Sequence, residues 1–363
     1  MSITKKVTAL AVGLGMAGGL AACGSSSDGD GGGSGSGDSK TVTLVSHNSW
    51  AVSKDVIAAF EKSSGYKVEV LEDGDAGQAV NKAILTKDNP QGDVFFGVDN
   101  TLLSRALDNG LFQPYEAKGL DQVDAAYRTD TDHKVTPVDT GDICVNYDKA
   151  YFSEHGLTPP DSFDDLTEPE YKDLLVTENA AGSSPGLGFL LGTAAEYGDQ
   201  GWQDYWKKLK ANGVKVVDSW EQAYNEEFSG SSGGKKAKGD RPLVVSYASS
   251  PPAEVIYADP QPDTAPTGVA QGTCFRQIEY AGLLSNAANP EGGKALLDFM
   301  LSKRFQEDLP LNMFVYPVRE DAAIPESFRK FGPPAEDPRT MDPAKIADKR
   351  DQWVKSWTSL VVR

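Results

Sequence analysis

The chain has 363 residues, 39% of them hydrophobic, and sets 35 Lys and Arg against 53 Asp and Glu for a formal net charge of −18. That length exceeds one ordinary domain and suits two cores, and an acidic chain with no basic patch speaks against nucleic-acid binding. The surplus acid serves solubility or draws a cationic ligand, and net charge alone does not separate the two.

Lys5 and Lys6 precede an apolar stretch, 7–22, that closes on Leu20-Ala21-Ala22 before Cys23. A basic start, a short apolar run and small residues before a cut predict a secretory signal peptide over 1–22. The stretch is too short to span a membrane comfortably. Leu-Ala-Ala-Cys resembles the bacterial lipobox, which implies that Cys23 becomes a lipidated first residue; the alternative is an ordinary signal peptide with an incidental cysteine. Residues 24–40, GSSSDGDGGGSGSGDSK, hold no apolar side chain. With Cys23 they predict a flexible linker, 23–40, of roughly 20–25 Å r.m.s. reach. The expected product is exported and held by lipid alone at the outer face of the cytoplasmic membrane or the periplasmic membrane surface.

The folded part begins at Thr41. Strand and helix patterns alternate: strand 41–46, helix 52–62, strand 67–71, helix 76–87, strand 93–98 and helix 102–109. This order predicts a mainly parallel sheet with helices on its faces. Ligands of such sheets bind beyond the carboxyl ends of the strands, where the sequence places His47-Asn48-Ser49-Trp50, Asp73-Gly74 and Asp99-Asn100. A strand-rich stretch over 134–147 leads into a second α/β region. Its expected elements are strand 174–177, helices 186–197 and 202–211, strand 214–217, helix 220–228 and strand 243–247. The loop 229–240 reads as solvated. Strand 275–283 follows, then helices 291–300 and 304–309 and a C-terminal helix over 343–360, with Trp353 and Trp357 at i,i+4 on a packing face. Cys144 and Cys274 both fall in strand-like segments; in an exported chain they either pair or remain two buried thiols.

Gly182-Ser183-Ser184-Pro185 and Ala248-Ser249-Ser250-Pro251 each open a helix. Serine caps and proline at the first turn suit a helix start, and a helix start offers N–H groups to an anion such as phosphate. Capping alone is the plainer alternative. Residues 182–186 also match G-x-S-x-G, but the residue after the serine is Pro185, which has no N–H for an oxyanion. No HxxxH or CxxC pair suggests a metal, and there is no Tyr-Tyr. Rings at strand ends or turns (Trp50, Trp220, Tyr224, Tyr247, Phe314 and Tyr316), together with an acid such as Asp73, suit a flat, cationic, partly aromatic ligand.

Several segments resemble the substrate-binding proteins of bacterial ABC transporters, and among them the thiamine-binding proteins. They are Leu71-Glu-Asp-Gly74, Gly97-Val-Asp-Asn-Thr-Leu-Leu103, Gly110-Leu-Phe112, Ser184-Pro-Gly-Leu-Gly188, Ser219-Trp-Glu-Gln-Ala-Tyr224, Val245-Ser-Tyr-Ala-Ser-Ser-Pro251, Tyr316-Pro-Val318 and Gln352-Trp353 with Trp357. The resemblance implies an α/β, two-lobed periplasmic binding protein-like II fold with the ligand cleft between the lobes. Lobe 1 would comprise 41–141 and 275–363, and lobe 2 would comprise 142–274. It implies a monomeric, non-enzymatic receptor without a cofactor, which captures thiamine, with or without phosphate, and delivers it to an ABC import permease. A polyamine or ferric receptor is the alternative, and a surface hydrolase a more distant one. Asp73 and Gly74 would meet the aminopyrimidine or the cation, and Ser183 and Ser184 the hydroxyl or phosphate end. Trp220 and Tyr224 would stack on the rings. Tyr247, Ser249 and Ser250 would line the second lobe, with Trp50, His47 and Phe314 completing the site. His47 and Ala253 stand where the family carries tyrosine.

Overall fold

In β1 (Thr41–Ser46) Val42 and Leu44 are fully buried, and in β3 (Val94–Asp99) every residue is buried. A strand covered on both faces reads as a continuous apolar run, and an edge strand alternates or turns polar. β2 (Lys67–Glu72) is that polar edge, paired parallel to β1. β4 (Thr136–Asp148), β5 (Leu175–Glu178), β6 (Lys215–Val217), β7 (Leu243–Tyr247), β8 (Thr267–Leu283) and β9 (Tyr316–Pro317) complete one sheet. The computed structural model describes residues 40–232 and 239–363. The expected signal peptide, Cys23 and residues 24–39 lie outside the described residues, as do 233–238 of the loop 229–240.

The sheet runs β2-β1-β3-β8-β4-β7-β5-β6, with β9 on β4. One parallel group is β2-β1-β3 and another is β7-β5-β6. Between them β4 and β8, of 13 and 17 residues, pair antiparallel with each other and with β7 and β3 respectively. The sheet is therefore mixed, where the strand–helix alternation predicts a mainly parallel one. β8 also begins eight residues before the expected 275, because Thr267–Thr273 mixes Gly, Gln and Thr and lacks an apolar alternation.

Two register shifts interrupt the β4–β8 ladder, at Pro137/Asp139 and at Ile143/Val145. At the second, Cys144 and Cys274 form a disulfide, with S–S 2.02 Å and Cα–Cα 4.2 Å. It closes a loop of 130 residues. In the chain-entropy model such a bridge contributes about 5 kcal/mol.

Helix Ser184–Ala211 forms the two expected segments in one run, broken where Gly198 leaves helical geometry at φ 71° and ψ 179°. The C-terminal helix Pro343–Trp357 docks on it through edge-to-face pairs, Trp202 with Trp353 and Trp206 with Trp357. Each such pair adds roughly 0.5–1.5 kcal/mol beyond area burial. No described helix is long and apolar enough to cross a membrane.

Candidate functional site

The carboxyl ends of the parallel strands converge on one cleft of about 750 Å³, solvent at its mouth included. β1 delivers His47, Asn48 and Ser49. The turn after β2 delivers Asp75 and Ala76, and the turns after β5, β6 and β7 deliver Ser184 with Pro185, Trp220 with Tyr224, and Tyr247 with Ser250. β8 adds Glu279, and the segment before β9 adds Met313, Phe314 and Val315.

Both aspartates after β2 are candidates by position, and the chain's reversal at Gly74 separates them. Gly74 sits at φ +81°, which a side chain rarely tolerates. Asp73 N–H goes to Ser46 O, and its carboxylate pairs with Lys82, away from the cleft. Asp75 instead caps helix Ala76–Leu85, accepting from Ala76 N–H at 2.7 Å, and its other oxygen accepts from Trp220 N–H at 3.0 Å. The acid of the cleft is thus Asp75 and not Asp73. Burial pushes its carboxyl up, against the N–H of Trp220, the Ser183 hydroxyl, His47 and the N–H of Ala76, which pull it down.

His47 packs into a seat that only glycine leaves open. A Cβ on Gly97, at φ +95°, would lie 2.2 Å from the imidazole. Its Nδ1 accepts from Ser49 N–H at 3.2 Å, and its Nε2 lies 3.3 Å from Glu279 Oε1. Burial pulls the imidazole down, but Glu279, with Asp75 and Asp99 behind it, outweighs burial and leaves it raised.

Trp220 stacks on Tyr224 with ring centroids 5.1 Å apart and planes 19° apart. The stack is held at both ends. Trp220 Nε1 donates to Ser246 Oγ at 3.0 Å, and Tyr224 donates its hydroxyl to Glu254 Oε1 at 2.7 Å. The expected helix 220–228 is a single α-turn, Trp220–Gln222, followed by a wider π-turn, Ala223–Glu227. Such turns recur at functional sites. Tyr247 and Phe314 complete the ring wall; Phe314 sits at φ +56° and stacks on Phe328. A non-glycine residue in that region costs about 1–3 kcal/mol.

At the paired Ser-Ser-Pro starts the hydroxyls that line the cleft are bonded within the protein. Ser184 donates its hydroxyl to Asp99 and accepts from Gln277 Nε2 at 2.9 Å, so its hydroxyl is committed within the protein. Burial, opposed by the Ser184, Thr101 and Gln277 hydrogen bonds, pushes Asp99 up. Ser250 Oγ pairs with Ser246 Oγ at 2.9 Å, and Pro251 and Pro252 remove two N–H donors behind it. Ser183 and Ser249 are buried and do not line the cleft. Trp50 is also outside it, packed between Phe96 and Phe305 in the core. These three, with Asp73 and Gly74, depart from the expected site because strand-end position alone does not tell inward-facing side chains from buried ones.

The sequence places Asn48 at a strand end but does not single out Asp75, Glu221 or Glu279. Asn48 donates to Glu221 Oε2 at 2.8 Å, a second bond across the cleft beside Asp75–Trp220. The available signal for Glu279 is an acid inside the apolar run Ile278-Glu279-Tyr280. Among the described residues, no three His, Cys, Asp or Glu side chains group as a metal site.

Residues 89–248 match the model of a family described as bacterial extracellular solute-binding protein. The thiamine-binding periplasmic protein of Salmonella typhimurium is 30% identical over 317 residues, 86% of this chain and 90% of that one. A solved periplasmic thiamin binding protein superposes with TM-score 0.76 at 28% identity, over 89% of this chain and 96% of that one. A ferric binding protein from Campylobacter jejuni shares the fold, with TM-score 0.66 at 18% identity over 88% of this chain and 99% of that one.

Proposed function

Because the chain belongs to the bacterial extracellular solute-binding proteins, alongside the thiamine-binding periplasmic proteins, we propose that its cleft captures thiamine outside the cytoplasm for an ABC import permease. One observation carries the reading: the Trp220–Tyr224 stack stands against Asp75, whose carboxylate is already bonded to the Trp220 backbone. Rings held by their polar ends beside a buried acid suit a flat, charged, aromatic solute.

In this reading 41–141 with 275–363 and 142–274 act as two lobes, and the Asp75–Trp220 and Asn48–Glu221 bonds join them across the ligand. The receptor is a monomer, and lipid on Cys23 keeps it beside the permease. The phosphate esters of thiamine bind more weakly than thiamine itself, because Asp75, Asp99 and Glu279 repel a phosphate and the prolines withhold N–H groups from it.

Isothermal titration with thiamine, its monophosphate, its diphosphate, spermidine and ferric ion tests this. The expected result is saturable thiamine binding, with each ester weaker by about tenfold, roughly 1.4 kcal/mol. No binding of any thiamine form, or tighter binding of spermidine or iron, overturns it.

A further inference from the structure

Glu279 lines the cleft from β8, one of the two strands that run between the parallel groups. Directly opposite it in register on β4 is Asp139, fully buried, with no hydrogen-bond donor among the described residues on either carboxylate oxygen. In front of Glu279 is His47 Nε2 at 3.3 Å. The other described titratable groups that face this unit are Asp75 from the turn after β2, Asp99 at the end of β3, Glu221 from the turn after β6 and Tyr247 at the end of β7, with Glu178 at the end of β5 acting on Asp75 and Tyr247. All of these are acids or phenols. Among the described residues that line the cleft, His47 is the one that can carry a positive charge.

Two carboxyls placed together away from water do not both ionise. Asp139 has no cation near it, and burial followed by the Glu279 charge pushes it well above the ordinary range. It keeps its proton beside the Glu279 carboxylate. His47 is then balanced between two states. Glu279, Asp75 and Asp99 favour the charged ring. The Ser49 N–H on Nδ1 favours the neutral ring, because a proton on Nδ1 would face that N–H.

We propose that Glu279, backed by Asp139, is the acid that recognises the cationic centre of the solute, and that His47 is its resident counter-charge. An incoming cation takes Glu279. The charged share of His47 then gives its Nδ1 proton to solvent, and the ring settles wholly as the Nε2–H tautomer in which Nδ1 accepts from Ser49. To that extent one positive charge leaves as one enters. This rests on the reading of the cleft as a receptor for a cationic solute.

The test is thiamine titration of the full chain between about pH 6 and about pH 8, in phosphate and in Tris, whose different ionisation heats report proton release. Wild type is expected to tighten at least about threefold across that range, toward a limit of tenfold per pH unit for one linked proton, and to release a fraction of a proton. His47→Gln should lose both the slope and the release. Glu279→Gln should weaken binding about tenfold or more and flatten the slope, with circular dichroism reporting its fold. A flat, proton-neutral wild type, a His47→Gln protein that still releases protons, or a folded Glu279→Gln protein that binds as wild type overturns the proposal. Absence of thiamine binding at every pH overturns the thiamine reading and this one together, whereas a flat profile with binding intact overturns this one alone.

Discussion

The two sides of the cleft are built from opposite materials. The β1–β3 side presents His47 and Asp75 with Asp99 buried behind them, set by strand ends and fixed by backbone N–H groups and hydroxyls. The β5–β7 side presents Trp220 and Tyr224, set by an α-turn and the π-turn after it and fixed through their polar ends by Ser246 and Glu254, with Tyr247 at the end of β7. Charge is costly to bury and must be satisfied at each oxygen, whereas a ring needs only its one polar atom placed. The acid side is therefore a network in which each change propagates, and the ring side is a set of separable contacts.

That contrast can be broken by substitution. Asp75→Asn should have the largest effect, weakening thiamine about ten- to a hundredfold, since it removes a charge-assisted contact worth roughly 1.5–3 kcal/mol and the anchor on Trp220 together. Trp220→Ala should cost about five- to thirtyfold, the range of one desolvated cation–π contact plus stacking. Asp73→Asn should change affinity less than about threefold, because its partner Lys82 lies outside the cleft. An Asp73→Asn loss as large as that of Asp75→Asn would reverse the assignment of the acid. All three are read as Kd by titration.

The acid side also predicts a stability profile. His47, Asp75, Asp99, Asp139 and Glu178 all stand above their ordinary values. A group raised by folding binds more protons folded than unfolded, so its contribution is complete below its unfolded value and is lost as pH rises through its folded value. The ligand-free protein should therefore melt a few degrees higher near pH 5 than near pH 8, and thiamine should narrow that gap by stabilising the neutral-pH form more. A calorimetric Tm that rises with pH would contradict the buried-acid description.

Much of the fold is legible in the chain. β1, β3, β7 and the tryptophan face of the C-terminal helix follow from periodicity, because burial on known faces imposes it. β8 is only half legible, since Thr267–Thr273 is held by β4 and not by its own apolar pattern. Of the expected cleft residues, His47, Ser184, Trp220, Tyr224, Tyr247, Ser250 and Phe314 line it. Asp73 misleads because a single residue, Gly74, separates it from Asp75, and only the φ of that glycine decides which one turns inward. Glu279 and Asp139 face each other across 140 residues of sequence, a pairing that register creates and that neither local sequence announces.

The placement of β8 also has a consequence in time. β3 and β4 lie on either side of it and stay unjoined until residues 267–283 exist. No pairing of nearby residues can complete this sheet, and Cys144 waits for Cys274. Chains whose native contacts are this distant fold slowly. For a member of an extracellular family, such slowness keeps the emerging polypeptide loose enough to be threaded across a membrane before it sets.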